Sequence, residues 1–187
     1  PHREILSGAA ELVKAFAIKD QASFERASRC FSDGINIEAP EFKELIATAM
    51  EIKQGVVERD FRESGERRLL NFGHTFGHAI EKCAADASDD ILHGEAVAIG
   101  MAIAAKISTH LRLLSADACE GFIATLRNMG FDLEVRYPAE SLVNAIKNDK
   151  KRGDNGVYFV LLQEIGTSCV EMLNFTDLEK IAADVLH

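Results

Sequence analysis

The 187-residue sequence has few residues that interrupt or cross-link a folded chain. Three prolines and the lack of a low-complexity tract leave little room for a flexible linker, and 47% hydrophobic residues suffice for one substantial core. The four cysteines are far apart and form no Cys-x-x-Cys pair, which argues against a thiolate zinc site and against a dense disulfide scaffold. Reduced thiols, as in a cytoplasmic protein, are the simplest interpretation.

The sequence also lacks the signals of a nucleic-acid or membrane partner. Its formal net charge is −9 and it has no dense stripe of lysine and arginine, whereas nucleic-acid binding requires a basic face. The most apolar stretch, residues 96 to 105, is well short of the ~20 residues that cross a bilayer, and it predicts a buried core helix. No basic region followed by an apolar block opens the chain, so we expect no secretory signal, and the first residues resemble the interior of a longer sequence.

Helical periodicity dominates the sequence and predicts a mainly α, multi-helix domain. The predicted helices span residues 7–18, 21–32, 40–62, 68–85, 93–112, 116–129, 139–149 and 175–186. Residues 157–162 and 168–173 are rich in strand formers and flank a turn that contains Gly166, which predicts a small β-hairpin. Because an isolated hairpin is only marginally stable, we expect it to pack against the helices.

The segment 67–81 carries the most informative pattern. Placed on a helix, its apolar residues gather on one side, while Arg67, Asn71, His74 and His78 align on the other. A polar stripe that simply faces water is the plain alternative. Two histidines at i and i+4, however, can direct ring nitrogens at one metal ion or substrate, and the residues alone allow either histidine as a ligand.

Gly73 and Gly77 lie beside this stripe, although a glycine costs about 1 kcal/mol in a helix interior relative to alanine. They predict that another backbone or a ligand approaches closely there. A third histidine, His93, opens the Ala-rich helix after a short acidic loop. Such a histidine by itself is more often a capping or surface residue. With His74 and His78 nearby, it can complete a zinc site that has three protein ligands and an open position.

Residues 67–81 and 93–101 closely resemble, in the same order, the two signature blocks of the 3-dehydroquinate synthases. The likeness covers nearly the whole chain, because it extends to residues 3–4, 8–14, Lys53, Glu63-x-Gly65, 149–151, 160–162 and 165–166. The resemblance implies that residues 1–187 form the C-terminal helical domain of such an enzyme, which binds metal and substrate. It also implies that the N-terminal NAD-binding domain is absent from this chain.

Individual roles follow from the same resemblance. It implies Glu11, His74 and His93 as ligands of Zn²⁺ or of another divalent metal such as Co²⁺. Glu11 is assigned by the resemblance alone, since a single glutamate in a first helical turn is usually solvated. The implied catalytic residues are His78, Asn71 and Lys14, and the implied substrate-binding residues are Lys53, Arg67 and Lys150. These positions suit a substrate with a carboxylate and a phosphate, which fixed cations and an amide donor bind well.

The implied activity is that of the shikimate pathway, in which 3-deoxy-D-arabino-heptulosonate 7-phosphate is cyclised to 3-dehydroquinate with release of phosphate. This chemistry needs zinc and NAD, yet the sequence has no Gly-rich strand-turn-helix fingerprint for a nucleotide. We therefore expect the chain to be inactive without its own N-terminal domain. The expected ligand is a small sugar phosphate, and the sequence leaves the oligomeric state open, with a homodimer as one candidate.

Two alternatives remain at the level of sequence. The nearer one is another sugar-phosphate cyclase or a metal-dependent polyol dehydrogenase, which competition between substrates would separate. The more distant one is a noncatalytic helical interaction module whose histidine stripe is merely surface, and this module would bind no stoichiometric zinc.

Overall fold

The computed structural model describes residues 2–61, 65–149 and 155–186. The predicted mainly α fold with a small hairpin is confirmed. The α-helices are α1 (His2–Lys19), α2 (Gln21–Cys30), α3 (Pro40–Arg59), α4 (His74–Ala87), α5 (His93–His110), α6 (Ala116–Asn128), α7 (Ala139–Asp149) and α8 (Phe175–Val185). A short 3-10 helix (Glu66–Asn71) precedes α4, and strands β1 (Gly156–Glu164) and β2 (Thr167–Asn174) form an antiparallel pair.

Helix α5 lies at the centre of the domain. Its residues 96–105 are all apolar, and a helical segment that is apolar on all sides is buried. One hydrophobic cluster joins it to α1, α2, α3 and α6, and a second cluster joins it to α4, α7, β1 and α8. Among the described residues, no helix combines the length and the apolar character that crossing a membrane requires.

The hairpin packs against the helices, as predicted from the marginal stability of an isolated hairpin. The Leu162 amide donates a hydrogen bond of 3.0 Å to the buried Ser108 hydroxyl on α5. The Ser168 hydroxyl donates to the Ile18 carbonyl at 3.2 Å, and the Gly166 amide at the hairpin turn donates to the Ala17 carbonyl at 2.8 Å. These bonds fix the turn end of the hairpin to α1 and α5.

The prediction of one continuous helix over residues 68–85 was wrong. The chain forms the 3-10 helix, turns at Phe72 and Gly73, and begins α4 only at His74. Gly73 has a φ of +79°, in the left-handed region that favours glycine. A Cβ at this position would lie 2.5 Å from the Met101 side chain and 2.9 Å from the Val97 carbonyl oxygen. Packing against α5 therefore selects the break, which helical periodicity does not reveal.

Helix α1 begins at His2, five residues before its predicted start at residue 7. The Arg3 guanidinium forms ion pairs of 2.6 Å with both Asp90 and Glu95. Asp90 lies shortly before α5, and Glu95 lies in its first turn. These long-range contacts hold the first turn of α1 in place. The ends of the other helices differ from the predicted ends by no more than three residues.

Candidate metal centre

Three side chains from three different helices converge at one edge of the domain. Glu11 comes from α1, His74 is the first residue of α4, and His93 is the first residue of α5. Their potential ligand atoms lie within 4.8 Å of one another, and the centroids of the two imidazole rings are 5.3 Å apart. The structure thus brings together the three residues that the sequence resemblance implied as metal ligands.

Close packing between α1 and α5 places Glu11 beside His93. The Gly94 amide donates a hydrogen bond of 2.9 Å to the Ser7 hydroxyl. A Cβ on residue 94 would lie only 2.0 Å from the Ser7 carbonyl oxygen, so only glycine allows the approach. Since Ser7 precedes Glu11 by one helical turn, the same contact holds the beginning of α5 next to the carboxylate.

Glycines also bring α4 against α5. A Cβ on Gly77 would be 3.3 Å from the Val97 Cα atom, and a Cβ on Gly100 would be 2.0 Å from the Gly73 carbonyl oxygen. The close approach of another backbone, which Gly73 and Gly77 predicted, is therefore observed. It sets the spacing between the helices that carry His74 and His93.

His74 is held in the form that binds a metal. Its side chain is only 16% exposed, and its Nδ1 lies 3.2 Å from the Phe72 carbonyl oxygen, so this hydrogen bond assigns the ring proton to Nδ1. The Nε2 atom then turns its lone pair outward and lies 3.7 Å from the Glu11 carboxylate. Burial, assisted by the charge of Lys14, lowers the pKa of His74 to about 4 and keeps the imidazole neutral.

Glu11 is held as a carboxylate by Lys14. Burial by itself would raise the pKa of Glu11, but the charge of the Lys14 ammonium, its hydrogen bonds of 3.0 and 2.9 Å to the carboxylate, and the charge of Lys53 lower it. Lys14 is 4% exposed, and burial lowers its pKa against the opposing attraction of Glu11. The centre therefore combines a neutral imidazole, a carboxylate and a buried ammonium group.

Glu81 is a member of the site that the sequence pattern did not single out. Its carboxylate lies 3.0 Å from Nδ1 of His93, and His78, Glu81 and His93 form a second group of potential ligand atoms within 4.8 Å of one another. The available signal was its spacing, because Glu81 follows His78 by three residues and His74 by seven, on the same face of α4.

Two hollows flank the three converging side chains. The larger, of about 570 Å³, is lined by Asn71, His74 and His78, with Arg68, Lys82, Asn148, Asp149 and Tyr158 among the residues around them. The other, of about 410 Å³, lies between α1 and α3, where Glu11, Lys14 and Lys53 lie beside apolar side chains. The implied catalytic residues thus line the hollows, and Lys53 joins them.

The remaining implied substrate-binding residues are placed differently. The Arg67 guanidinium donates a hydrogen bond of 3.0 Å to the Phe61 carbonyl, and Arg67 lines neither hollow. It does not share a helix face with His74 as predicted, because the chain turns at Phe72 and Gly73 between them. Lys150 lies outside the described residues. The sequence signals also missed Arg68, whose guanidinium lies 5.0 Å from the centre of the Tyr158 ring in the larger hollow.

Comparison with known sequences identifies close relatives of the domain. Residues 8–152 match the family described as 3-dehydroquinate synthase C-terminal. The chain is 40% identical over 190 residues to the 3-dehydroquinate synthase of Chlorobium luteolum, covering 98% of this chain and 52% of that protein. It is 38% identical over 181 residues to the enzyme of Dictyoglomus thermophilum, covering 96% of this chain and 50% of that protein. The chain therefore spans about half the length of these relatives.

Solved structures share the fold over the full chain. A 2-deoxy-scyllo-inosose synthase, complexed with carbaglucose-6-phosphate, NAD⁺ and Co²⁺, has a TM-score of 0.82 and 24% identity and covers 100% of this chain and 52% of its own. The 2-epi-5-epi-valiolone synthase of Streptomyces hygroscopicus, with NAD⁺ and Zn²⁺ bound, has a TM-score of 0.85 and 21% identity and covers 98% of this chain and 51% of its own. The same helical arrangement thus occurs in sugar-phosphate cyclases.

Proposed function

The chain belongs to the 3-dehydroquinate synthase family through its C-terminal domain, and we propose that it is the metal- and substrate-binding domain of a 3-dehydroquinate synthase. The observation that carries the proposal is the convergence of Glu11, His74 and His93 within 4.8 Å. In the proposed reaction, 3-deoxy-D-arabino-heptulosonate 7-phosphate is converted to 3-dehydroquinate and inorganic phosphate.

The chemistry of these donors fits a divalent cation. Two imidazole nitrogens and one carboxylate oxygen are a normal ligand set for catalytic zinc, which keeps a further position open for substrate. The Nδ1 hydrogen bond of His74 leaves Nε2 free, and Lys14 keeps Glu11 ionised, so both donors are already in the state that a metal requires. When bound, Zn²⁺ or Co²⁺ would supply Lewis acidity to the substrate oxygens beside these residues.

The larger hollow is the proposed position of the substrate. Its volume of about 570 Å³ is in the range of small-molecule sites, and the side chains of Asn71, His74 and His78 share its wall. We assign the phosphate end to the Asn71 amide and the exposed His78 ring, since both can donate hydrogen bonds to phosphate oxygens. The imidazole of His78 also offers a side chain that can accept a proton from the substrate and return it.

The cations of the neighbouring hollow have a different proposed role. Lys14 and Lys53 lie with Glu11 between α1 and α3, where their positive charges can orient an anionic substrate group. Lys14 is fixed by its two hydrogen bonds to Glu11, so it positions the carboxylate as well as any anion nearby. Arg67 and Lys150 are retained as proposed substrate-binding residues on the sequence resemblance alone.

The proposed reaction oxidises a substrate hydroxyl transiently and later returns the same hydride to the substrate, so it needs a nicotinamide that accepts the hydride and gives it back. The described residues form a two-stranded hairpin and no doubly wound parallel sheet. Since the relatives are about twice as long as this chain, we assign NAD binding to an N-terminal half. The domain alone is accordingly proposed to be inactive.

The test joins the chain to the N-terminal half of a relative such as that of Chlorobium luteolum and measures phosphate release from the heptulosonate phosphate with NAD and zinc. We expect turnover that is abolished by His74→Ala and retained in the matched variant His110→Ala, which alters an exposed histidine at the far end of α5. Turnover that survives His74→Ala unchanged would contradict the proposal.

The same assay separates related activities. If another sugar phosphate is consumed faster than the heptulosonate phosphate, the chain serves a different cyclase of this fold. If neither the joined protein nor the isolated chain binds zinc, a noncatalytic helical module becomes the better description.

A further inference from the structure

We propose that Glu81 is a positioning residue of the metal centre, which orients His93 by accepting a hydrogen bond from its Nδ1 atom. The inference rests on the proposed function, because it assumes that His93 binds the metal. Glu81 lies on α4 and His93 opens α5, and the Oε1 to Nδ1 distance is 3.0 Å. Helix α4 would therefore supply both a ligand, His74, and the group that orients a ligand on the neighbouring helix.

The His93 ring needs such a partner more than the His74 ring does. Its side chain is 47% exposed, whereas that of His74 is 16% exposed and therefore confined by packing. The other aromatic rings near His93 are those of His74 at 5.3 Å and His78 at 6.2 Å between centroids, neither of which fixes its orientation by a hydrogen bond. An exposed side chain at the start of a helix otherwise samples several rotamers.

The two histidines are prepared in the same way by different means. In His74, Nδ1 is held by the Phe72 backbone carbonyl at 3.2 Å, and in His93, Nδ1 is held by the Glu81 carboxylate at 3.0 Å. Both hydrogen bonds place the ring proton on Nδ1 and leave the Nε2 lone pair for a metal. A carboxylate in this position also makes the Nε2 atom a stronger electron-pair donor to a metal. Loss of such a partner commonly lowers metal affinity about 10–100-fold.

The hydrogen bond also favours one of two roles for Glu81. It belongs to a second group of potential ligands with His78 and His93, so it is itself a candidate ligand. However, an Nδ1 atom that donates a hydrogen bond to Glu81 carries the ring proton and cannot bind a metal at the same time. The observed pairing therefore uses one nitrogen of His93 for Glu81 and leaves the other for the centre formed with Glu11 and His74.

The first experiment needs no metal. Nitrogen-15 NMR of the histidine rings at about pH 8, where an ordinary imidazole is neutral, reports which ring nitrogen carries the proton. We expect His93 to be protonated on Nδ1 in the unaltered chain and in Glu81→Gln, whose side-chain oxygen still accepts a hydrogen bond. We expect it to shift toward the Nε2-protonated form in Glu81→Ala. A His93 tautomer that does not change in Glu81→Ala would overturn the proposal.

The second experiment measures zinc affinity by competition with a chromophoric chelator. We expect Glu81→Ala to weaken binding about 10–100-fold, Glu81→Gln to recover most of this loss, and the control Glu120→Ala, at an exposed glutamate on α6, to bind like the unaltered chain. Circular dichroism and thermal unfolding of the metal-free variants check that the fold is retained.

The outcomes distinguish this inference from the proposed function. If Glu81→Gln loses as much affinity as Glu81→Ala, or if both lose it entirely, Glu81 is a ligand and not a positioning residue. If the unaltered chain binds no zinc, or if His74→Ala binds zinc as tightly as the unaltered chain, the proposed metal centre fails. The tautomer of His93 then still shows whether Glu81 orients this ring.

Discussion

Gly94 lies directly against the backbone of Ser7, and this contact sets the separation between the helix that carries Glu11 and the helix that begins with His93. The Gly94 amide binds the Ser7 hydroxyl at 2.9 Å, and a Cβ on residue 94 would come within 2.0 Å of the Ser7 carbonyl oxygen. Protein interiors pack too densely to absorb such an overlap without moving one of the helices. The geometry of the candidate metal centre therefore depends on a residue that contributes no donor atom to it.

The substitution Gly94→Ala tests this dependence. We expect it to lower the free energy of unfolding by about 1–3 kcal/mol, because the added methyl group forces α1 and α5 apart. Zinc affinity should fall as well, since Glu11 and His93 move away from each other. Urea denaturation of the metal-free chain and a zinc titration measure the two effects.

A glycine on a different helix provides the control for this prediction. Gly121 lies within α6, is exposed, and has no atom within 4 Å of where a Cβ would be. Gly121→Ala should raise the free energy of unfolding by about 0.5–1 kcal/mol, because alanine is the better helix former, and should leave zinc affinity unchanged. If both alanine variants unfold at the same urea concentration, the contact between Gly94 and Ser7 does not set the separation of α1 and α5.

Metal removal should destabilise the isolated domain. A ligand that binds only the folded state adds about 2.7 kcal/mol to the free energy of unfolding when its concentration is 100 times its dissociation constant. We therefore expect zinc to raise the melting temperature of the chelator-treated chain, and expect His74→Ala to abolish this increase. The variant His110→Ala should respond to zinc as the unaltered chain does. A melting temperature that does not depend on zinc in any of these proteins would argue against the centre.

Glu11 and Lys14 should respond unequally to substitution in the metal-free chain. Lys14 is 4% exposed, and Glu11→Ala removes the carboxylate that accepts both of its hydrogen bonds. We expect this substitution to lower the free energy of unfolding by about 1–3 kcal/mol. Lys14→Met keeps the apolar stem and leaves Glu11, which is 35% exposed, partly in water, so the loss should be smaller. Chemical denaturation of the two variants compares them, and an equal or reversed order would show that the pair does not behave as a buried ammonium with a partly solvated partner.

The acid stability of the domain should depend in part on Glu66. Hydrogen bonds from Arg59 and Lys19 lower the pKa of Glu66 from its ordinary value of 4.5 to about 2, and join the 3-10 helix to α3 and α1. A carboxyl with a lowered pKa in the folded state stabilises the protein above its unfolded pKa, and this contribution is lost as the pH falls from about 4.5 toward 2.

Replacing Glu66 by glutamine should remove that pH dependence. The urea midpoint of Glu66→Gln should lie below that of the unaltered chain at pH values above about 4.5, and the two midpoints should converge as the pH approaches 2. The effect will be modest and will decrease with added salt, because the group is partly exposed to solvent. A constant difference between the two proteins across this range would exclude the assigned role.

Much of the fold is encoded in local patterns. Apolar periodicity located the helices and the hairpin because burial of one face repeats every turn or every second residue, whatever the neighbouring element is. Gly73 and Gly77 similarly predicted the close approach of another backbone or a ligand, because a glycine inside a helical pattern lowers helix stability unless it makes room for a neighbour. The pattern failed at the break before His74, where the conformation of Gly73 is selected by contact with Met101 and Val97 on α5.

The sequence by itself determined which donor groups are present and the helical spacing of His74, His78 and Glu81, because residues three, four or seven apart share a helix face. The tertiary structure alone decided that Glu11 and His93 meet them, that backbone and carboxylate oxygens occupy the Nδ1 atoms, and that Arg67 turns toward Phe61 instead. These outcomes depend on helices far apart in sequence approaching within atomic contact, and the energies that select them arise only after the chain has packed.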